Sequence, residues 1–200
     1  MKEGFFAASL AFALGLPLAA QAADLQRAEE IVGGRCFLCH GMEGEAASAL
    51  YPRLAGQNAD YIARQLGDFK SGRRKSETMA GMVDELTPEE MKSLGAFFQK
   101  EPATRSEAGD ADLAGVGRYI FVKGNPFSGV AACVSCHGTK GHGTPQLPRL
   151  AGQQPLYLEN QLKQFNTRER NNDNAVMHSI AAKLTELEVK AVSSYLSTLE

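Results

Sequence analysis

The chain has 200 residues, long enough for one or two domains, and is nearly charge-balanced, with 21 basic against 23 acidic side chains. That balance excludes a strong electrostatic pull toward nucleic acid or anionic lipid. Trp is absent and aromatic residues make up 8%, a lean supply for cores built from side chains alone, which a large apolar cofactor would relieve.

From the N-terminus, Lys2 starts a mostly apolar run from Phe5 to Leu18, and Ala20-Gln21-Ala22 fits the small-x-small cleavage pattern. Residues 1–22 read as a signal peptide, with the mature chain starting at Ala23. The competing reading is an uncleaved anchor, since Gly4 to Ala23 carries no charge and approaches the ~20 residues that span a bilayer. Pro17 and the alanine-rich end favour cleavage. An exported protein in a bacterial periplasm is expected.

A short amphipathic helix, Leu25 to Gly33, leads into "CFLCH" (Cys36, Cys39, His40). A second helix, Leu113 to Val122, precedes "CVSCH" (Cys133, Cys136, His137). Four cysteines in an exported chain suggest two disulfides, but C-x-x-C-H is the attachment signature of a c-type haem. Two thiols add to the porphyrin vinyl groups, and the adjacent imidazole serves as proximal iron ligand. A thioredoxin-like motif would need a βαβ context, and a zinc site would leave both histidines unexplained. Two covalent haems are therefore expected.

A Gly-rich loop follows each motif, and then the chain repeats itself. "YPRLAGQ" (Tyr51 to Gln57) returns as "LPRLAGQ" (Leu147 to Gln153), and "NADYIARQLGDF" as "QPLYLENQLKQF". Tyr61, Leu66 and Phe69, like Tyr157, Leu162 and Phe165, lie at helical spacing. Arg53 and Arg149 in the repeated "PRLAGQ" are candidates to pair with haem propionates, which the planar guanidinium fork suits; the alternative is a plain surface arginine. Arg73-Arg74-Lys75 is expected to be a solvated loop.

"ETMAGM" then offers two methionines. Leu86-Thr87 aligns with Leu184-Thr185, and seven residues upstream of each leucine stand Met79 and Met177. Met82 falls opposite Ile180 and is expected to pack in the core. Met79 and Met177 are therefore the candidate sixth ligands; methionine there raises the reduction potential and blocks exogenous ligands. Met42 follows its motif too closely, His178 aligns with Ala80, and His142 reads as an exposed titrating histidine. Capping boxes open the last helix of each copy, Thr87-Pro88-Glu89-Glu90 and Thr185-Glu186-Leu187-Glu188. Residues 23–100 and 113–200 thus form two all-α domains, joined by a polar linker at 101–112. The second carries an insertion, "GNPFSGVAA" (Gly124 to Ala132), that could lie at the domain interface or cross the surface.

The two C-x-x-C-H motifs, the "PRLAGQ" repeats, "GVAACVSCHG" and the Met-x(6)-Leu-Thr endings resemble the di-haem class I cytochromes c of the cytochrome c4 type, over nearly all of the mature chain. The resemblance implies two tandem class I cytochrome c domains, each wrapped around one covalent haem c and related by a pseudo-two-fold, with haem propionate edges facing across the interface. It also implies a periplasmic electron carrier, not an enzyme, that runs from a quinol-oxidising cytochrome bc complex to a terminal oxidase or reductase. A monomer with room for peripheral membrane association is expected, and a di-haem subunit of a dehydrogenase, such as a sulfide-oxidising flavocytochrome, is the alternative.

Overall fold

The computed structural model describes residues 16–106 and 111–200, with side chains from Asp24 onward. Most of the segment read as a signal peptide and part of the expected linker lie outside the described residues. Helix α1 spans Leu16–Ile31, α2 Phe37–His40, α3 Ala59–Lys70, α4 Glu77–Val83 and α5 Pro88–Lys100. The second half repeats the order with α6 Ala111–Lys123, α7 Val134–His137, α8 Pro155–Thr167, α9 Val176–Ala181 and α10 Glu186–Ser197. The fold is all-α; among the described residues the sole β pairing is an isolated bridge between Asn125 and Val130.

Each half closes around its own core. In the first, Ile31 and Val32 meet Ile62 and Phe69 of α3 and Met91, Leu94 and Phe98 of α5. In the second, Ile120 and Phe121 of α6 meet Leu158 of α8 and Val192 and Leu196 of α10. These are the apolar stripes that the 3.6-residue period places on one face of each helix. α5 and α10 both begin on complete capping boxes, Thr87 with Glu90 and Thr185 with Glu188.

The first helix departs from its expected bounds. Beyond Ile31 it widens into a π-helical turn, Val32–Cys36, and runs straight into α2, so the first motif is continuous with the helix that precedes it. In the second half the insertion separates α6 from α7. It crosses the surface of its own half as a held loop: Asn125 and Val130 exchange two backbone hydrogen bonds of 2.9 Å. Asn125 Nδ2 donates to Glu188 Oε1 (2.7 Å), and Lys183 Nζ donates to the Gly129 carbonyl (3.1 Å). The loop is thus pinned to α10 and to the turn that precedes it, with Phe127 at its tip 98% exposed.

The described part of the linker is also tied down. Ser106 N donates to the Ser197 carbonyl (2.8 Å), and a Cβ on Gly56 would meet Ala103 at 2.7 Å. No helix among the described residues is long and apolar enough to cross a membrane.

Candidate haem sites and the interface between them

The C-x-x-C-H turns end alike. Gly41 (φ 78°) and Gly138 (φ 79°) follow the histidines in a conformation that disfavours any side chain. The chain then loops back, so that His40 Nδ1 lies 3.1 Å from the Pro52 carbonyl and His137 Nδ1 lies 3.2 Å from that of Pro148. A carbonyl only accepts, so Nδ1 carries the proton and Nε2 keeps its lone pair. Burial lowers both imidazole pKa values, against the opposing pull of these carbonyls, and favours the neutral form a metal requires. Burial also raises the Cys36 thiol and pushes Cys133 up to about 11. All four cysteines are unpaired thiols, as haem attachment demands and a disulfide framework would not allow.

Both candidate methionines sit on short helices rather than in loops. Met79 lies in the first turn of α4, its N–H held by the Ser76 hydroxyl (3.2 Å), and its side chain, like that of Cys36, packs against the first core. Met177 is the second residue of α9, which follows two non-glycine residues of positive φ, Asn174 and Ala175, and its N–H donates to Asp173 Oδ2 (2.5 Å). Such backbone is held only where its surroundings over-determine it. Met82 corrects the sequence reading. It is 40% exposed and outside the core, the buried place at this end of α4 being taken by Val83, and its backbone carbonyl accepts from Arg35 Nη1 (3.4 Å). His142 is exposed as expected, with Nε2 2.7 Å from the Glu200 carbonyl, and the His178 ring is engaged by the Phe165 carbonyl at 3.0 Å.

The repeated "PRLAGQ" segments meet at the interface. Gln57 takes the Arg149 N–H on Oε1 (2.7 Å) and donates Nε2 to the Arg149 carbonyl (2.9 Å). Gln153 does the same with Arg53, at 2.8 and 2.9 Å. The two-fold reciprocity of these bonds is that of a pseudo-symmetric pair. Arg53 reaches the Gly152 carbonyl and Ser106 Oγ, while its buried Nε has no partner. Arg149 Nε donates to the Ala151 carbonyl (3.2 Å). Burial lowers both guanidinium pKa values, the mark of cations short of counter-charge, which a carboxylate such as a propionate would supply. With neutral imidazoles, free thiols and thioethers in duplicate, the residues present fit two haems.

Comparison with known proteins agrees. Residues 23–98 match the family described as cytochrome C oxidase, cbb3-type, subunit III, and residues 121–200 match cytochrome c. Cytochrome c4 of Thiocapsa roseopersicina is 40% identical, over 90% of this chain and 95% of that protein. The chain belongs to the cytochrome c4 family. The crystal structure of reduced recombinant cytochrome c4 from Pseudomonas stutzeri superposes with a TM-score of 0.83 at 32% identity, covering 88% of this chain and 98% of that one. A protein of Stutzerimonas stutzeri (strain A1501) named thiosulfate dehydrogenase electron acceptor is 37% identical over 94% of this chain and 91% of its own length. As a cytochrome c4 family member, this protein is a di-haem electron carrier with two covalent haem c groups.

One part of this cytochrome c4 interface escaped the sequence reading. Arg74, expected in a solvated loop, is buried, as is Arg170. Arg74 donates to Gln65 Oε1 of its own half (2.9 Å) and to Tyr157 OH (3.0 Å) and Gln161 Oε1 (2.8 Å) of the other. Arg170 mirrors it on Gln161 (2.7 Å), Tyr61 OH (2.9 Å) and Gln65 (3.0 Å). Each guanidinium also stacks on the phenylalanine of its own half, Phe69 at 4.6 Å and Phe165 at 4.5 Å. The signal was present in the repeat: Arg74 and Arg170 are offset by the same 96 residues as Tyr61 and Tyr157, and Gln65 and Gln161.

Proposed function

We propose that this protein carries electrons in the bacterial periplasm from a quinol-oxidising cytochrome bc complex to a terminal oxidase or reductase. Residues 1–22 direct export and are removed. Cys36 and Cys39 hold one haem by thioether bonds, and Cys133 and Cys136 hold the other. His40 and Met79 would ligate one iron and His137 and Met177 the other, and Arg53 and Arg149 would pair with the propionates. When bound, each haem supplies one-electron Fe(III)/Fe(II) chemistry.

The duplicated donor set carries this reading. In each half a buried neutral imidazole, oriented by a proline carbonyl, stands in the same short domain as a methionine whose N–H is held by a side chain, Ser76 for Met79 and Asp173 for Met177. Two protein ligands leave no coordination position for a substrate, so the chain's part is to hold the ligands still while charge moves, and methionine ligation sets a high potential. Binding of a substrate and bond-making on it have no place in this scheme.

The relative named as a thiosulfate dehydrogenase electron acceptor favours a second reading, in which a dehydrogenase is the electron donor. A di-haem subunit of a sulfide-oxidising flavocytochrome belongs to the same class. Optical and potentiometric titration of the haem-matured protein tests the ligand set: two low-spin haems of fairly high potential are expected, and a high-spin component would overturn it. Rapid mixing of the oxidised protein with a quinol-oxidising complex, and separately with a purified dehydrogenase, separates the donors by which reduces it faster.

A further inference from the structure

Arg74 and Arg170 each begin the segment that ends on a candidate axial methionine. Arg74 stands five residues before Met79 and Arg170 seven before Met177. Their backbones are set alike, the Arg74 N–H on the Asp68 carbonyl (2.9 Å) and the Arg170 N–H on the Gln164 carbonyl (3.0 Å). Each guanidinium keeps one hydrogen bond and a ring stack in its own domain and also reaches into the other. The Met79 segment is moored to Tyr157 and Gln161, and the Met177 segment to Tyr61 and Gln65. Asn172 adds a second crossing, donating Nδ2 to Asp68 Oδ2 at 2.7 Å and to Gln65 Oε1 at 3.0 Å.

We infer that each domain positions the axial methionine of the other: Arg74 and Arg170 are positioning residues through which α8 steadies Met79 and α3 steadies Met177. The inference rests on the assignment of those methionines as iron ligands. Its physical basis is that a charge-assisted hydrogen bond in a buried setting holds its segment more firmly than a neutral one. Local opening of a ligand segment competes with ligation, so an anchor lost on one domain raises the open population on the other.

The test is Tyr61→Phe, which removes one hydroxyl from α3 and keeps the ring. In the reduced protein, proton NMR shows one ring-current-shifted methyl signal per bound methionine, assigned with Met79→Ala and Met177→Ala. Tyr61→Phe is expected to perturb the Met177 signal and leave that of Met79 in place. Imidazole affinity should rise at the second haem by roughly tenfold, the scale of one lost hydrogen bond to a charged group. Tyr157→Phe, whose hydroxyl accepts from Arg74, should act predominantly on Met79. An effect confined to the haem of the substituted residue's own domain, or none on either, would overturn the inference. A wild-type protein lacking both methyl signals would instead sink the ligand assignment, and the inference with it.

Discussion

His40 and His137 each meet a proline carbonyl, 12 and 11 residues downstream, within 3.2 Å. That contact chooses the tautomer and the ring orientation, which a lone surface imidazole would have to adopt at an entropic cost. The two methionines of α4 differ in burial. Met79 faces the core and Met82, three residues on, is exposed. Met79→Ala is expected to open the first haem to carbon monoxide in the reduced state and to cyanide in the oxidised state, while Met82→Ala keeps the spectrum of the wild type. Difference spectra on adding each ligand check both, and carbon monoxide binding by Met82→Ala would reverse the assignment.

The helices are set as much by what they exclude as by what they bury. Gly117 on α6 crosses α10 so closely that a Cβ there would fall inside the carbonyl oxygen of Ala191, with Tyr195 beside it. That clash is against backbone, which cannot rotate away. Gly117→Ala should therefore destabilise the holoprotein by about 1–3 kcal/mol, the usual range for overpacking, read as a lower midpoint in denaturant unfolding. Most of this level was legible beforehand. The capping boxes, the apolar stripes and the repeat are local patterns, and the helices they specify are present. The continuous entry of α1 into the first motif was not legible, because a π-helical turn leaves no simple periodic mark. The insertion's place was hidden too, since it depends on Asn125 meeting Glu188, 63 residues away.

For the molecule as a whole, the reciprocal pairs of Gln57 with Arg149 and Gln153 with Arg53 are what join the two haem loops. Gln57→Leu with Gln153→Leu leaves two backbone N–H and two carbonyl groups without these partners, at roughly 1 kcal/mol or more for each that stays buried. The expected result is a larger radius of gyration by small-angle scattering and slower electron exchange between the haems, with each domain's spectrum preserved. Unchanged dimensions would place the joint elsewhere. This interface was the least legible part of the sequence. Arg74 lies between two other basic residues, and its partners are 83 and 87 positions away, so only the shared repeat offset hinted that it was more than a solvated charge.

The oxygens of Gln65 and Gln161 each accept from both guanidiniums. Neither copy of the duplicated unit owns its half of that arrangement, so sequence drift in one is answerable to the other. A lone change at Gln65 strands cations contributed by both repeats, and after gene duplication such positions can vary only in concert. Chimeras between relatives that exchange one repeat alone should therefore assemble poorly unless Tyr61, Gln65, Arg74 and their counterparts travel together.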